Sequence, residues 1–372
     1  MNTPPIPAAA PRLDAADIAA AVRVLESGRL VQSPEVAAFE DEFADLADGH
    51  SCIAVNSGTS ALWLTLLALG IGPGDEVIVP SFTFAATAAA VRLTRATPVF
   101  ADITPDTFCL DPDAVRAAIT ARTAAVIPVH LFGHPAAMNE FTALAHAHHL
   151  ALVEDAAQAH GATLNGRPAG TFGTAGCFSF YPTKNMQSIE GGMVVTADPA
   201  LARTLRLLRN QGMERRYDHR IVGTNARMSD VNAAIARSQL RRLPALTGHR
   251  RANAARLSEL LTGLPELTLP TTAAGAGHVW HQYTVRIGAA LGDRDTFAHH
   301  LQQAGTGTSV HYPVPLHRSP AYATAADLPH TDTAAEQVLS LPVHPGLTTA
   351  QIQDIAQAVT TLALAPARER AA

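Results

Sequence analysis

Lysine occurs once in this chain, at position 184, against 26 arginines. A guanidinium keeps its charge, whereas an amine can be tuned towards neutrality and can attack a carbonyl. Biased composition would also leave one stray lysine, so the surroundings of Lys184 decide. It stands in CFSFYPTKNMQSIEGGMVV (177–195), with no other lysine or arginine between Arg167 and Arg203. Burial in such an apolar, aromatic stretch lowers an amine's basicity and suits a nucleophile.

Two motifs upstream carry complementary chemistry. NSGTSAL (56–62) follows an apolar run and opens a helical one. A small-residue turn at a helix N-terminus offers free N–H groups and a partial positive charge, a phosphate site or an ordinary cap. Thr59 and Ser60 add hydroxyls. In VEDAAQAHG (153–161), Asp155 falls at the carboxyl end of a predicted buried strand, where open parallel sheets bind ligands. A carboxylate there needs a cation or several donors, and a protonated pyridine nitrogen would serve as well as a structural partner. Gln158 follows three residues on. A phosphate turn, a strand-end Asp and a desolvated Lys, in that order, are the parts that pyridoxal 5′-phosphate requires.

The elements that must hold these residues alternate. Strands are predicted at 52–55, 76–79, 97–102, 124–130 and 151–155. Helices are predicted at 14–27, 34–48, 60–70, 84–95, 112–121 and 136–149. Such strand–helix repetition predicts an α/β fold, with a large, mostly parallel sheet of the seven-stranded type between helices. CFSFYP and GGMVVTA predict an antiparallel excursion. Residues 199–210 and 229–262 read as helices, and 280–288 with a final helix near 349–363 as a smaller C-terminal α+β domain. The boundary is placed near 245, giving 1–245 and 246–372, and the tail APARERAA reads as frayed.

Composition narrows the function classes. A net charge of −5 gives no global field for nucleic acid or anionic membrane. Three scattered cysteines suit a reducing compartment, and neither a signal peptide nor a membrane-length apolar run is seen, so a cytoplasmic protein is expected. HAHH (146–149) reads as a helix surface; no metal is expected.

Taken in order, NSGTSAL, PSFTF, VHLFGHPAAM, EDAAQAHG, FSFYPTKN, EGGMVVT, RNQGMERRY, GTNARMSDVNAA and HYPVPLH resemble the DegT/DnrJ/EryC1/StrS sugar aminotransferases, over residues 28 to 345. The resemblance implies pyridoxal phosphate as cofactor, with pyridoxamine phosphate as its intermediate form. It makes Lys184 the Schiff-base lysine and the proton carrier, and Asp155 the partner of the ring nitrogen. Gln158 matches the residue beside the ring hydroxyl, and Phe84 the stacking aromatic. Thr59, Ser60 and Ser179 match phosphate ligands. Asn225 matches one delivered by a second subunit, which implies a homodimer with shared sites. L-Glutamate is the implied donor and a nucleotide-linked keto sugar the acceptor. Arg215, Arg216, Tyr217, His311 and His317 are candidates to hold that acceptor, with the loop 28–35 lining the sugar pocket. Arg227 either binds a carboxylate or braces the Asn225 loop. EGGMVV and RNQGMERRY lean towards C4 amination of a dTDP-4-keto-6-deoxyhexose in deoxyaminosugar and antibiotic biosynthesis. Amination at C3, an aminocyclitol acceptor and a non-catalytic coenzyme-binding regulator remain alternatives. Ile189 stands where such sequences usually carry glycine, which predicts a differently shaped loop.

Overall fold

The structure is a computed structural model and describes residues 4–365. Residues 366–372, nearly all of the predicted frayed tail, lie outside the described residues. The first helices are α1 (Ala15–Ser27) and α2 (Pro34–Ala44). α1 starts at a reciprocal cap between Asp14 and Asp17, the arrangement that satisfies two orphan donors at once. Strands and helices then alternate as β1 (Ser51–Val55), α3 (Gly58–Ala68), β2 (Glu76–Pro80), α4 (Ala86–Leu93), β3 (Thr97–Ala101), α5 (Pro112–Ala118), β4 (Thr123–Val126), α6 (Met138–His148) and β5 (Ala151–Asp155). Two short paired strands, β6 (Thr163–Leu164) and β7 (Arg167–Pro168), precede β8 (Ala175–Ser179), β9 (Gly192–Thr196) and α7 (Pro199–Leu208).

Seven strands form one sheet in the order β1-β9-β8-β5-β4-β2-β3. β2, β3, β4, β5 and β8 pair in parallel, and β9 runs antiparallel to both of its neighbours. The antiparallel excursion read from 171–197 is this strand. β2 and β9 are buried along their whole length, as the near-continuous apolar runs EVIVP and GMVVT require of a sheet covered on both faces. The predicted strand at 124–130 ends early, because Pro128 has no N–H to give the ladder. Its continuation still reaches β5, through a bridge from Val129 to Asp155.

A hairpin of β10 (Met213–Arg215) and β11 (Asp218–His219) leads into the long helix α8 (Asp230–Leu261). Ala233, Ala236 and Leu243 of α8 join the core beneath the large sheet, whereas Ala254, Leu257 and Leu261 join another. That second core is built on β12 (Leu267–Thr268), β14 (Tyr283–Ile287), α9 (Arg294–Gln303), β15 (Val338–Leu341) and α11 (Thr349–Leu364), while β13 (Ala276–Gly277) pairs back with β6 and α10 (Pro329–Gln337) precedes β15. Ile6 also lies in the second core and bridges to Thr306, so the chain's start packs with its C-terminal part.

Candidate active site

β5 delivers Asp155 to the carboxyl edge of the sheet, in register with Cys177 of β8. The carboxylate is 5% exposed. Its Oδ2 accepts the Thr87 hydroxyl at 2.8 Å and its Oδ1 the Ala157 N–H at 3.2 Å. Both donors are neutral, and no ion pair reaches Asp155 among the described residues. Burial, the largest effect, pushes its pKa up; Thr87, Ala157 and the positive charge of Lys184 pull it back. Behind it, Glu154 accepts from the N–H groups of Gly170, Phe172 and Gly173 and contacts His130 Nε2 at 2.9 Å. This lock fixes the ends of β4 and β5 and hence the aim of Asp155.

Lys184 follows β8 in a turn closed by its own N–H to the Tyr181 carbonyl at 2.9 Å. Part of the residue meets solvent, yet protein surrounds the amine. Burial lowers its pKa to about 8, and the Asp155 carboxylate opposes that shift. His311, beside Lys184, is pushed down to about 4 by burial, so its imidazole is neutral at physiological pH. His160 is likewise pushed down to about 3.

The turn before α3 is shaped as a cradle. Ser57 caps the helix, accepting the Ser60 N–H at 3.1 Å, and its hydroxyl meets that of Ser60 at 3.0 Å. Gly58, Thr59 and Ser60 are half-buried. A Cβ on Gly58 would stand 2.7 Å from Ser179 Cβ, and one on Gly192 only 2.4 Å from the Ser57 carbonyl oxygen. Ser179 therefore closes on the same turn, and glycine is needed where β9 begins. Phe84 presents its ring with 63% of the residue exposed, unlike the buried Phe82 two places earlier. The Gln158 side chain bridges the Phe132 N–H at 2.7 Å and the Tyr312 hydroxyl at 3.0 Å.

Other candidates stand elsewhere. His317 is fully buried: its Nδ1 lies 2.7 Å from Ser81 Oγ and its Nε2 3.3 Å from Asp332. It ties the 316–318 turn to the end of β2, so its ring nitrogens face protein partners. Arg215, Arg216 and Tyr217 ride on the exposed β10–β11 hairpin, where Arg216 covers the Tyr217 ring, and form no bond to the Lys184 surroundings. Asn225 is exposed and bridges to Asn210. Arg227 donates to Asn210 at 3.1 Å, the bracing alternative. Leu30 and Val31 of the 28–35 loop are exposed, and Ser33 is anchored on Asp230. His146, His148 and His149 end α6 on the surface. Ile189 takes φ 70, the left-handed conformation that favours glycine. All three cysteines are buried, with thiols pushed up by burial, which leaves no nucleophilic sulfur. No described helix is long and apolar enough to cross a membrane.

Sequence reasoning missed Thr87, Ser57, Tyr312 and His160. Ser57, directly before a glycine at a helix start, carried a readable cap signal; the other three are joined to the site only by the fold.

The residues fit pyridoxal phosphate. A buried carboxylate lacks a cation, a glycine-walled turn presents donors, an aromatic face lies open, and one desolvated amine stands between them. Fold and site thus define a pyridoxal phosphate-dependent aminotransferase. Residues 11–360 match the DegT/DnrJ/EryC1/StrS aminotransferase family, and the chain belongs to it. It is 47% identical, over 96% of both chains, to dTDP-3-amino-3,4,6-trideoxy-α-D-glucose transaminase of Streptomyces venezuelae. Over 87% of its length and 89% of the relative's, it is 46% identical to the erythromycin biosynthesis sensory transduction protein EryC1 of Saccharopolyspora erythraea. Among solved structures, DesV of S. venezuelae superposes with a TM-score of 0.94 at 46% identity, covering 98% of this chain and 100% of that one.

Proposed function

We propose that this protein transfers an amino group from L-glutamate to a nucleotide-linked keto sugar. The observation that carries the reading is a buried amine, Lys184, within electrostatic reach of a buried carboxylate, Asp155, whose hydrogen-bond donors are neutral. Asp155 holds a proton on the pyridine nitrogen. The Ser57–Ser60 turn and Ser179 bind the phosphate, Phe84 covers the ring, and Gln158 stands beside its hydroxyl. When bound, the coenzyme takes up the electron pair released as the donor's Cα–H bond breaks. Nζ of Lys184 removes that proton and returns it, acting as base and then as acid. His311, neutral beside Lys184, is suited to hydrogen-bond an uncharged sugar group.

The sequence motifs lean towards C4 amination. The relative at 47% identity is named for an amino group on C3. That name shifts our reading to a dTDP-3-keto deoxysugar, with the 4-keto isomer second. Asn225 and the Arg215–Tyr217 hairpin, exposed here, fit a role across a homodimer, completing a neighbour's site. We also place the division between a large unit and a small C-terminal one within α8, near residue 245.

The test mixes protein, pyridoxal phosphate and L-glutamate and follows the visible spectrum and 2-oxoglutarate. Conversion of the spectrum with release of the oxo acid is expected, followed by amination of one member of a dTDP- and UDP-keto sugar panel. No spectral change with any amino donor would sink the reading and favour a coenzyme-binding regulator, a role that the name of the sensory transduction protein EryC1 evokes.

A further inference from the structure

Asn185, directly after the lysine, is 4% exposed and directs its side-chain amide at one neighbouring segment. Its Nδ2 donates to the Val279 carbonyl at 2.9 Å, and its Oδ1 meets His281 Nδ1 at 3.2 Å. The first bond fixes the second. A carbonyl oxygen takes only a donor, so the amide nitrogen faces Val279 and the amide oxygen faces the ring. His281, 5% exposed, then carries its proton on Nδ1, because an amide oxygen only accepts. Burial keeps that ring neutral, with its pKa well below the ordinary value.

The segment that receives Asn185 is itself bent and held. Trp280, between the two contacts, takes φ 50, a left-handed conformation that a bulky residue adopts only when its surroundings impose it. Arg250 donates to the carbonyls of Trp280 and His281 at 3.1 and 3.2 Å, and His278 Nδ1 accepts the Trp280 N–H at 2.9 Å. On the other side, the N–H groups of Val279 and Gln282 reach the Gly133 and Phe132 carbonyls at 3.1 and 3.2 Å. The approach is close: a Cβ on Gly133 would stand 2.9 Å from the His281 backbone nitrogen. Phe132 gives its own N–H to Gln158. One strained turn therefore ties the lysine turn to the Gln158 amide.

We propose that Asn185 and His281 are positioning residues for Lys184: their clamp on the lysine turn keeps Nζ buried near Asp155 and sets the angle at which it meets the donor's Cα. The inference rests on the aminotransferase reading and deepens it. An amine that removes and returns a proton must keep its place through both steps, and a small misplacement costs rate steeply. The backbone bond from the Lys184 N–H to the Tyr181 carbonyl closes the turn, and the Asn185 amide anchors it to the rest of the fold.

Because Lys184 is the chain's one lysine, its amine can be followed without coenzyme. Competitive labelling of the coenzyme-free protein with fluorodinitrobenzene, from neutral to alkaline pH, is scored on the Lys184 peptide with the N-terminal amine as reference. In the parent the amine should titrate at about 8. Asn185→Ala and His281→Phe should each move that titration up towards the ordinary lysine value, as the freed turn lets the amine reach water. In the loaded enzyme both variants should still hold coenzyme on the lysine, yet slow the glutamate half-reaction by about ten- to a hundred-fold. The isotope effect of Cα-deuterated glutamate should rise, since proton transfer becomes limiting. His281→Gln, which keeps a donor, should recover part of the rate. The double variant should be no slower than the slower single one, as expected of two halves of one clamp. A lowered urea midpoint with unchanged labelling and isotope effect would mean a purely structural role and overturn the proposal. Additive losses in the double variant would overturn it too. If Asn185→Ala did not fold, the labelling profile of His281→Phe would decide in its place. If no amino donor altered the parent's spectrum, the aminotransferase reading would fall, while the labelling profiles still decided the clamp.

Discussion

Thr87 gives its hydroxyl proton to Oδ2 of Asp155 at 2.8 Å, across 68 positions of sequence. It reaches over from α4, whose start is fixed next to Phe84 by the Thr87 N–H to the Phe84 carbonyl. One short helix therefore helps to set both the exposed Phe84 ring and the Asp155 carboxylate. Thr87→Val keeps the shape and removes the donor. Asp155 should then become less acidic, and coenzyme affinity should fall about ten-fold, as for one lost bond to a charged group. Equilibrium dialysis of the coenzyme against both proteins measures it; equal affinity would refute the role.

Lys184→Arg preserves charge and abolishes the nucleophile. The variant should lose both the visible absorbance of lysine-bound coenzyme and turnover. Borohydride reduction of the parent should label a single internal peptide, since no second lysine exists. Normal turnover by the variant would overturn the assignment of Lys184.

Acid should destabilise the fold well before its carboxylates titrate. Burial holds His160 at about 3 and His311 at about 4, and His278 and His281 well below the ordinary value. Between pH 6.5 and about 4 the unfolded chain binds protons that the native one refuses. Stability therefore rises with pH across that window, by up to about 1.4 kcal/mol per unit for each histidine. Urea midpoints at pH 7.5, 6 and 5 should fall in that order; a flat profile would contradict the buried, neutral rings.

Ile189→Gly should stabilise. The residue is 47% exposed and held at φ 70, where a β-branched side chain is strained by about 1 kcal/mol. A rise in urea midpoint of that order is expected; a loss would mean that the Ile189 side chain makes compensating contacts.

Much of this was legible in the sequence. Strand–helix alternation and apolar runs are local, so the boundaries of β5, α7 and α8 came within a residue or two. Lys184 could be singled out as the one lysine in an apolar stretch, and Asp155 as a charge at the end of an apolar strand. The fold assembles the rest from distant parts. His317 shares its motif with His311, and nothing nearby announces that Ser81, 236 positions earlier, will capture its ring. Thr87 lies in an alanine-rich helix whose pattern speaks only of packing. The exposed Arg215–Tyr217 hairpin shows how a conspicuous basic cluster can stand apart from its own chain's lysine.

The single antiparallel strand also bears on how the protein is made. Within the sheet β1 pairs with β9, Ser51 against Thr196, and its end also bridges to Arg227. While the ribosome is still synthesising the intervening chain, β1 has no strand partner in the sheet. The apolar CIAV segment must wait in a nascent chain, a natural client for chaperones. The parallel strands β2, β3, β4, β5 and β8 all emerge before β9, so β1 joins the sheet only when its last-made strand appears, about half-way along the chain.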